Sequence, residues 1–297
     1  MLTKPSRADQ EALAALATPL GGPGSGRVRY AAAMYFNRCS LLSDEVLEVY
    51  RVCSARDGDD PHLMLSARRL GLPAALIADP SPGGLIRTLV DEIDCYLADL
   101  SGPGAAECRQ GLALWQNGPV AALSHHANPL VAECLGPALA SLRPTHSALA
   151  ASIGAAAAWL PWHTYDGYPP DAIGADFAQG HAYASLIGED APLPAEDWEL
   201  GLFLIRPHVL YRDHCHPAPE LYAPLTGPHG WRFGAGQPLR ILPAHRPVWN
   251  APHAPHLTKV GPDPFLCVYI WTSDVNAPAK VIPANDWPTL AALRLEP

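Results

Sequence analysis

The chain has 297 residues, of which 48% are hydrophobic and 16% charged, and its formal net charge is −9. That length and apolar content suit one large or two ordinary domains with a sizeable core and exclude global disorder. The acidic balance excludes non-specific nucleic-acid binding, which needs basic surface to displace counterions, and no apolar run is long enough to cross a bilayer as a helix.

The first twenty residues, MLTKPSRADQEALAALATPL, carry scattered charges and no compact apolar stretch with a cleavage site, so no signal peptide is read. The seven cysteines form no CxxC pair. Without an export signal, reduced thiols in a cytoplasm are expected, with no nucleic-acid and no membrane partner. The first half reads as helical. EALAALATPL, SLLSDEVLEVYRVCSA and PHLMLSARRLGL repeat apolar residues every three to four positions. GGLIRTLVDEIDCYLADL is the clearest amphipathic helix, with Leu85, Leu89, Ile93 and Leu97 four apart. AAECRQGLALWQN, PLVAECLGPALASL and ALAASIGAAAAWL continue the pattern. The GGPGSG stretch from Gly21 to Gly26 lacks the lysine of a phosphate loop and reads as a linker.

The texture changes after PWHTYDGYPPD. WELGLFLI, LYAPLTG, GWRFG, LRILPAH and PFLCVYIW are short apolar runs separated by Gly and Pro turns, which predicts strands of a barrel or sandwich. Many of the 33 prolines lie in this half. The expected architecture is α+β: a helical N-terminal region over residues 1–160 and an all-β barrel over residues 161–297.

The densest chemistry lies in YRDHCHPAPELY, from Tyr211 to Tyr222. His214, His216, Glu220 and Tyr222 share even spacing, which on one extended strand places two imidazoles, a carboxylate and a phenol on one face. That is a metal-site composition with an acid/base group beside it. Pro217 and Pro219 fall at the outward positions and predict a bulged or edge strand. Cys215 points away from the metal by the same alternation and is read as structural. A further histidine cluster follows in APHAPHL. An HxH pair alone is more often a surface pair; Glu220 in phase with it and the downstream histidine reverse that balance and favour a site.

Several blocks in order resemble the dimethylsulfoniopropionate (DMSP) lyases of the cupin superfamily. WHTYDGYP from Trp162, then GADFAQGHAYASLIGEDAPLPAEDWELGLFLIRPHVLYRDHCHPAPELYAPLTGPHGWRFG, look like the lead-in and first motif, and APHLTKVGPDPFLCVYIWTSD like the second. The resemblance covers about the last 135 residues and implies a small jelly-roll barrel. It also implies metal ligation by His214, His216, Glu220 and a second-motif histidine. Counted back from Trp271, His256 falls at the family position and is favoured over His253. Leu257-Thr258-Lys259 depart from the Ala-Met-basic run that usually follows that histidine. Tyr222 matches the family's general base and Tyr211 a second pocket tyrosine. The implied reaction is a metal-dependent β-elimination of DMSP to dimethyl sulfide and acrylate by a carbon–sulfur lyase. The implied cofactor is one divalent metal, and Zn²⁺, Fe²⁺, Mn²⁺, Co²⁺ and Ni²⁺ all suit the ligand set. The substrate is a small zwitterion whose sulfonium lacks hydrogen-bond donors and favours aromatic faces. Tyr165, Tyr183, Tyr211, Trp231 and Trp271 are the candidates for that cage, against ordinary core packing.

Other readings share the ligand set: a sugar isomerase, a non-haem iron dioxygenase, or a ligand-binding cupin without turnover. The helical half is expected to supply no ligand, its His125-His126 pair lying in a polar loop. Its expected role is to cover the barrel mouth or to build a homodimer interface.

Overall fold

The computed structural model describes residues 7–73, 76 and 81–296. Helices α1 (Arg7–Leu16), α2 (Ser25–Arg38), α3 (Asp44–Cys53) and α4 (Pro61–Ala67) enclose a core of their own that includes Phe36, Val49 and Tyr50. The predicted linker ends early, because Gly24 adopts φ 78° and α2 begins at Ser25.

A second helical group follows: α5 (Pro82–Asp99), α6 (Ala105–Trp115), α7 (Pro129–Leu142) and α8 (Ser147–Ala156). Local chemistry sets its ends. Proline at the first turn needs no hydrogen-bond donor, and the side chains of Ser81 and Asn128 accept from the first free N–H groups of α5 and α7. Leu89, Ile93 and Leu97 are buried as their spacing predicts, together with Ile86, Val90 and Tyr96.

After short helices α9 (Pro170–Ile173) and α10 (Ala175–Gln179), the chain becomes strands. These are β1 (His181–Gly188), β2 (Leu193–Pro194), β3 (Glu199–Ile205), β4 (Leu210–Cys215), β5 (Glu220–Pro224) and β6 (His229–Arg232). They continue as β7 (Arg240–Leu242), β8 (Val248–Asn250), β9 (His256–Val260), β10 (Phe265–Trp271) and β11 (Lys280–Val281), and α11 (Trp287–Ala292) follows. One sheet has the order β2-β1-β3-β10-β5-β8 and the other β11-β4-β9-β6-β7. From β3 onward the chain passes repeatedly from one sheet to the other, giving the two-sheet jelly-roll barrel of a cupin.

The first sheet is buried on both faces, which is why its strands read as unbroken apolar runs. Its outward face is Ala182, Ala184, Leu186, Leu200, Leu202, Leu204, Leu266, Val268 and Ile270, all in one core with residues of α5 to α8. Each fully buried leucine or isoleucine there contributes about 1.5–3 kcal/mol. The second helical group therefore backs the sheet rather than covering the mouth, contrary to expectation. The reason is that an apolar outer face has to be removed from water.

Candidate metal centre and cavity

The inward face of the same sheet is polar and aromatic. Cα pairing sets Glu199, Trp271 and Glu220 side by side on β3, β10 and β5, with Gly201, Tyr269 and Tyr222 in the next inward row. On the opposite sheet His214 of β4 pairs with His256 of β9.

The single-strand reading of His214 to Tyr222 does not hold. β4 ends at Cys215, residues 216–219 cross the end of the barrel, and Glu220 opens β5 in the other sheet. Pro217 and Pro219 lie in that crossing, where no ladder donor is required. The groups meet because the crossing turns both strand ends towards one point, not through shared parity. Tyr211 and His214 differ in parity, yet their rings stack at 3.9 Å, because the β4–β9 register shifts between them. Cys215 is half-exposed beside Lys280, consistent with a role away from the cluster.

The imidazole nitrogens of His214, His216 and His256 lie within 4.8 Å of one another, and all three residues are buried. Each has Nδ1 at a backbone carbonyl: Arg212 at 2.8 Å, Ala218 at 2.9 Å and Ala254 at 2.9 Å. Nδ1 then carries the proton and donates it, so Nε2 presents its lone pair. The Nε2 atoms of His214 and His256 are buried with no hydrogen-bond partner among the described residues. Glu220 Oε2 lies 3.2 Å from His216 Nε2 and 3.5 Å from His256 Nε2. Glu220 accepts from Trp271 Nε1 at 2.7 Å and from Asn250 Nδ2 at 3.1 Å. Three converging Nε2 atoms and a buried carboxylate suit a divalent transition metal. His253 is exposed at φ 60° and stands outside this cluster.

Electrostatics separate the groups. Burial, aided by the neighbouring imidazoles, holds His214 well below its ordinary pKa. Burial pushes His256 down to about 4. For His216 burial acts downward, but the Glu220 charge, the Glu220 hydrogen bond and the bond to the Ala218 carbonyl together outweigh it and raise the pKa. Burial acts to raise Glu220, and the His216 charge and hydrogen bond bring it below the usual carboxylate value. Burial, then the Glu220 charge, raises the Tyr222 phenol well above its ordinary value.

Beside the cluster is a cavity of about 460 Å³. Tyr165, Tyr183, Tyr211, Tyr222 and Trp271 all line it. Trp231 does not. It is fully buried away from the cavity, its Nε1 donating to His229 Nδ1 at 2.6 Å, because the barrel interior is filled there by Trp231 and Phe265. Trp271 has a second engagement, since its ring stacks on His216 at 4.6 Å while its indole N–H holds Glu220.

The profile of the dimethylsulfoniopropionate lyase family matches residues 101–267, more than half of the chain. The chain belongs to that family. Membership begins inside the helical group at residue 101, earlier than the last 135 residues suggested by the motifs. This member is 30% identical over 134 residues to the dimethylsulfoniopropionate lyase DddQ of Ruegeria pomeroyi DSS-3, a match covering 45% of this chain and 64% of that one. The chain therefore spans just under two thirds of that curated relative. A crystal structure described with the DMSP lyases RdDddP and RnDddQII superposes with a TM-score of 0.55 at 19% identity, covering 68% of this chain and all of that one. The DddQ crystal structure from Ruegeria pomeroyi DSS-3 gives 0.48 at 24% identity, over 66% and 95% of the two chains. Among the described residues no helix is long and apolar enough to cross a membrane.

Sequence reasoning missed several residues at this site. His181, Phe177 and Tyr211 stack in turn at 4.0 and 3.8 Å with 7° between planes, and Tyr211 stacks on His214. Phe177 comes from α10, whose proximity to β4 no local pattern signals. Tyr168 bonds the Tyr211 hydroxyl at 2.6 Å. Only the tyrosine-rich texture of YDGYP hinted at it.

Proposed function

We propose that this protein is a metal-dependent carbon–sulfur lyase that cleaves DMSP, or a close analogue, to dimethyl sulfide and acrylate. The observation that supports it most is the convergence of three tautomer-oriented histidines and Glu220 beside a tyrosine-lined cavity. His214, His216, Glu220 and His256 would hold the metal. A divalent metal bound there would accept the substrate carboxylate, stabilise the negative charge that develops on it and lower the Tyr222 pKa. Tyr222 then takes the proton from the carbon next to the carboxylate. The electron pair forms the carbon–carbon double bond as the carbon–sulfur bond breaks, and sulfur takes the pair of that bond and leaves as neutral dimethyl sulfide. Tyr211, fixed by the ring stack and by Tyr168, positions the substrate. Tyr165, Tyr183 and Trp271 supply aromatic faces for the sulfonium. Seven free cysteines suit the reducing cytoplasm we infer as its location.

The test is release of dimethyl sulfide from DMSP by protein loaded separately with Zn²⁺, Fe²⁺, Mn²⁺, Co²⁺ and Ni²⁺. Tyr222→Phe should keep fold and metal and lose about 10²–10⁴-fold in kcat. No release with any of these metals overturns the proposal.

A further inference from the structure

The aromatic faces leave one feature of the cavity unused. Among the described residues no lysine or arginine lines it, whereas Glu199 lies in its wall away from the cluster of His214, His216 and His256, and Glu189 and Asp190 also line the cavity. Along the inward row Glu199 and Glu220 are separated by Trp271 alone, two strand spacings or about 10 Å between backbones. Glu199 Oε1 accepts from the Tyr269 hydroxyl at 2.6 Å and from the Ser185 hydroxyl. Both donors load the same oxygen, and Oε2 has no hydrogen-bond partner among the described residues. Gly201 permits this arrangement. A Cβ there would come within 2.5 Å of the Ala184 carbonyl oxygen and 2.6 Å of the Tyr269 ring, so only glycine lets that ring lie across β3 and bring its hydroxyl to Glu199.

We propose that Glu199 is the counter-charge for the cationic end of the substrate and sets the preference for an onium zwitterion over a neutral isostere. The inference rests on the lyase reading above. The ends of the cavity then have opposite tasks. The histidine end takes the substrate carboxylate, while Glu199, among Tyr165, Tyr183 and Tyr269, takes a cation that has no hydrogen-bond donor. An alkylated onium donates no directed hydrogen bond, so a carboxylate whose orientation is already held by two hydroxyls loses little further freedom on binding it.

Two probes that differ in charge at one atom test this on the metal-loaded, full-length protein. They are 3-(trimethylammonio)propanoate, which is cationic at that end, and 4,4-dimethylpentanoate, its neutral isostere. Titration calorimetry of wild type and Glu199→Gln gives the dissociation constants. Glutamine keeps an oxygen for Tyr269 and Ser185. The expected result is about tenfold weaker binding of the ammonium probe in the variant, with 4,4-dimethylpentanoate unchanged within about twofold. Equal weakening of both probes, or no change in either, overturns the proposal. Wild type that turns over DMSP while Glu199→Gln keeps its ammonium preference refutes Glu199 alone. Wild type that releases no dimethyl sulfide yet shows Glu199-dependent ammonium binding refutes the lyase reading and leaves Glu199 as a cation recogniser. Failure of wild type to bind either probe overturns both.

Discussion

Replacing Trp271 with phenylalanine isolates one hydrogen bond of the candidate metal centre. The indole N–H donates to Glu220 Oε1 at 2.7 Å, and the ring stacks on His216 at 4.6 Å and 25°. Phenylalanine keeps a stacking face and deletes the donor. Glu220 is 2% exposed, so water does not readily replace the lost bond. A hydrogen bond to a charged, buried acceptor is worth about 1.5–3 kcal/mol. Loss of such support around a metal ligand costs about 10–100-fold in affinity, or about 1.4–2.7 kcal/mol, so the two scales agree. The expected outcome is a metal dissociation constant raised about 10–100-fold, measured by competition against a chromophoric chelator, with near-native far-ultraviolet dichroism. Asn250→Ala, which removes the donor to Oε2, should act in the same direction. An unchanged constant in folded Trp271→Phe would refute the reasoning, because Glu220 would then either not ligate or not need its support.

Metal content should fall sharply in His216→Ala and His256→Ala and persist in His253→Ala, read by elemental analysis of purified protein; full occupancy in His256→Ala would remove that residue from the ligand set. Acid should destabilise the metal-free protein between about pH 6.5 and 4. Burial lowers His229 and His256 to about 4, so both stay neutral in the fold while the unfolded chain takes up protons from about 6.5 downward. The stability these neutral imidazoles leave intact at pH 7 is lost as pH falls through that window, up to about 3 kcal/mol for each group. Urea melts at pH 7 and pH 5 test this, and a midpoint that does not drop would contradict it. A chain beginning at Trp162 should aggregate, since it lacks α5 to α8 and bares the leucine-rich outer face of the first sheet; a monodisperse product by size-exclusion chromatography would show that the helices are dispensable.

Much of this protein is determined by local sequence. Helical periodicity and capping residues specify α5 and α7, because their hydrogen bonds close within a few residues. The runs WELGLFLI and PFLCVYIW specify β3 and β10, and YRDHCHPAPELY with the later His256 contains the donor atoms of the cluster. Tertiary structure decided how those parts meet. Residues 216–219 are a crossing between sheets, so His216 at its start and Glu220 at the head of β5 converge across it. The shift in β4 turns Tyr211 and His214 to the same side, and α10 adds Phe177 to their stack. Trp231 and Trp271 look alike as candidates in the sequence, yet one is packed inside the barrel away from the cavity and the other holds Glu220 at its wall. The physical reason is range: periodicity assigns a residue to a face of its own element, and only pairing between strands distant in the chain decides what that face meets.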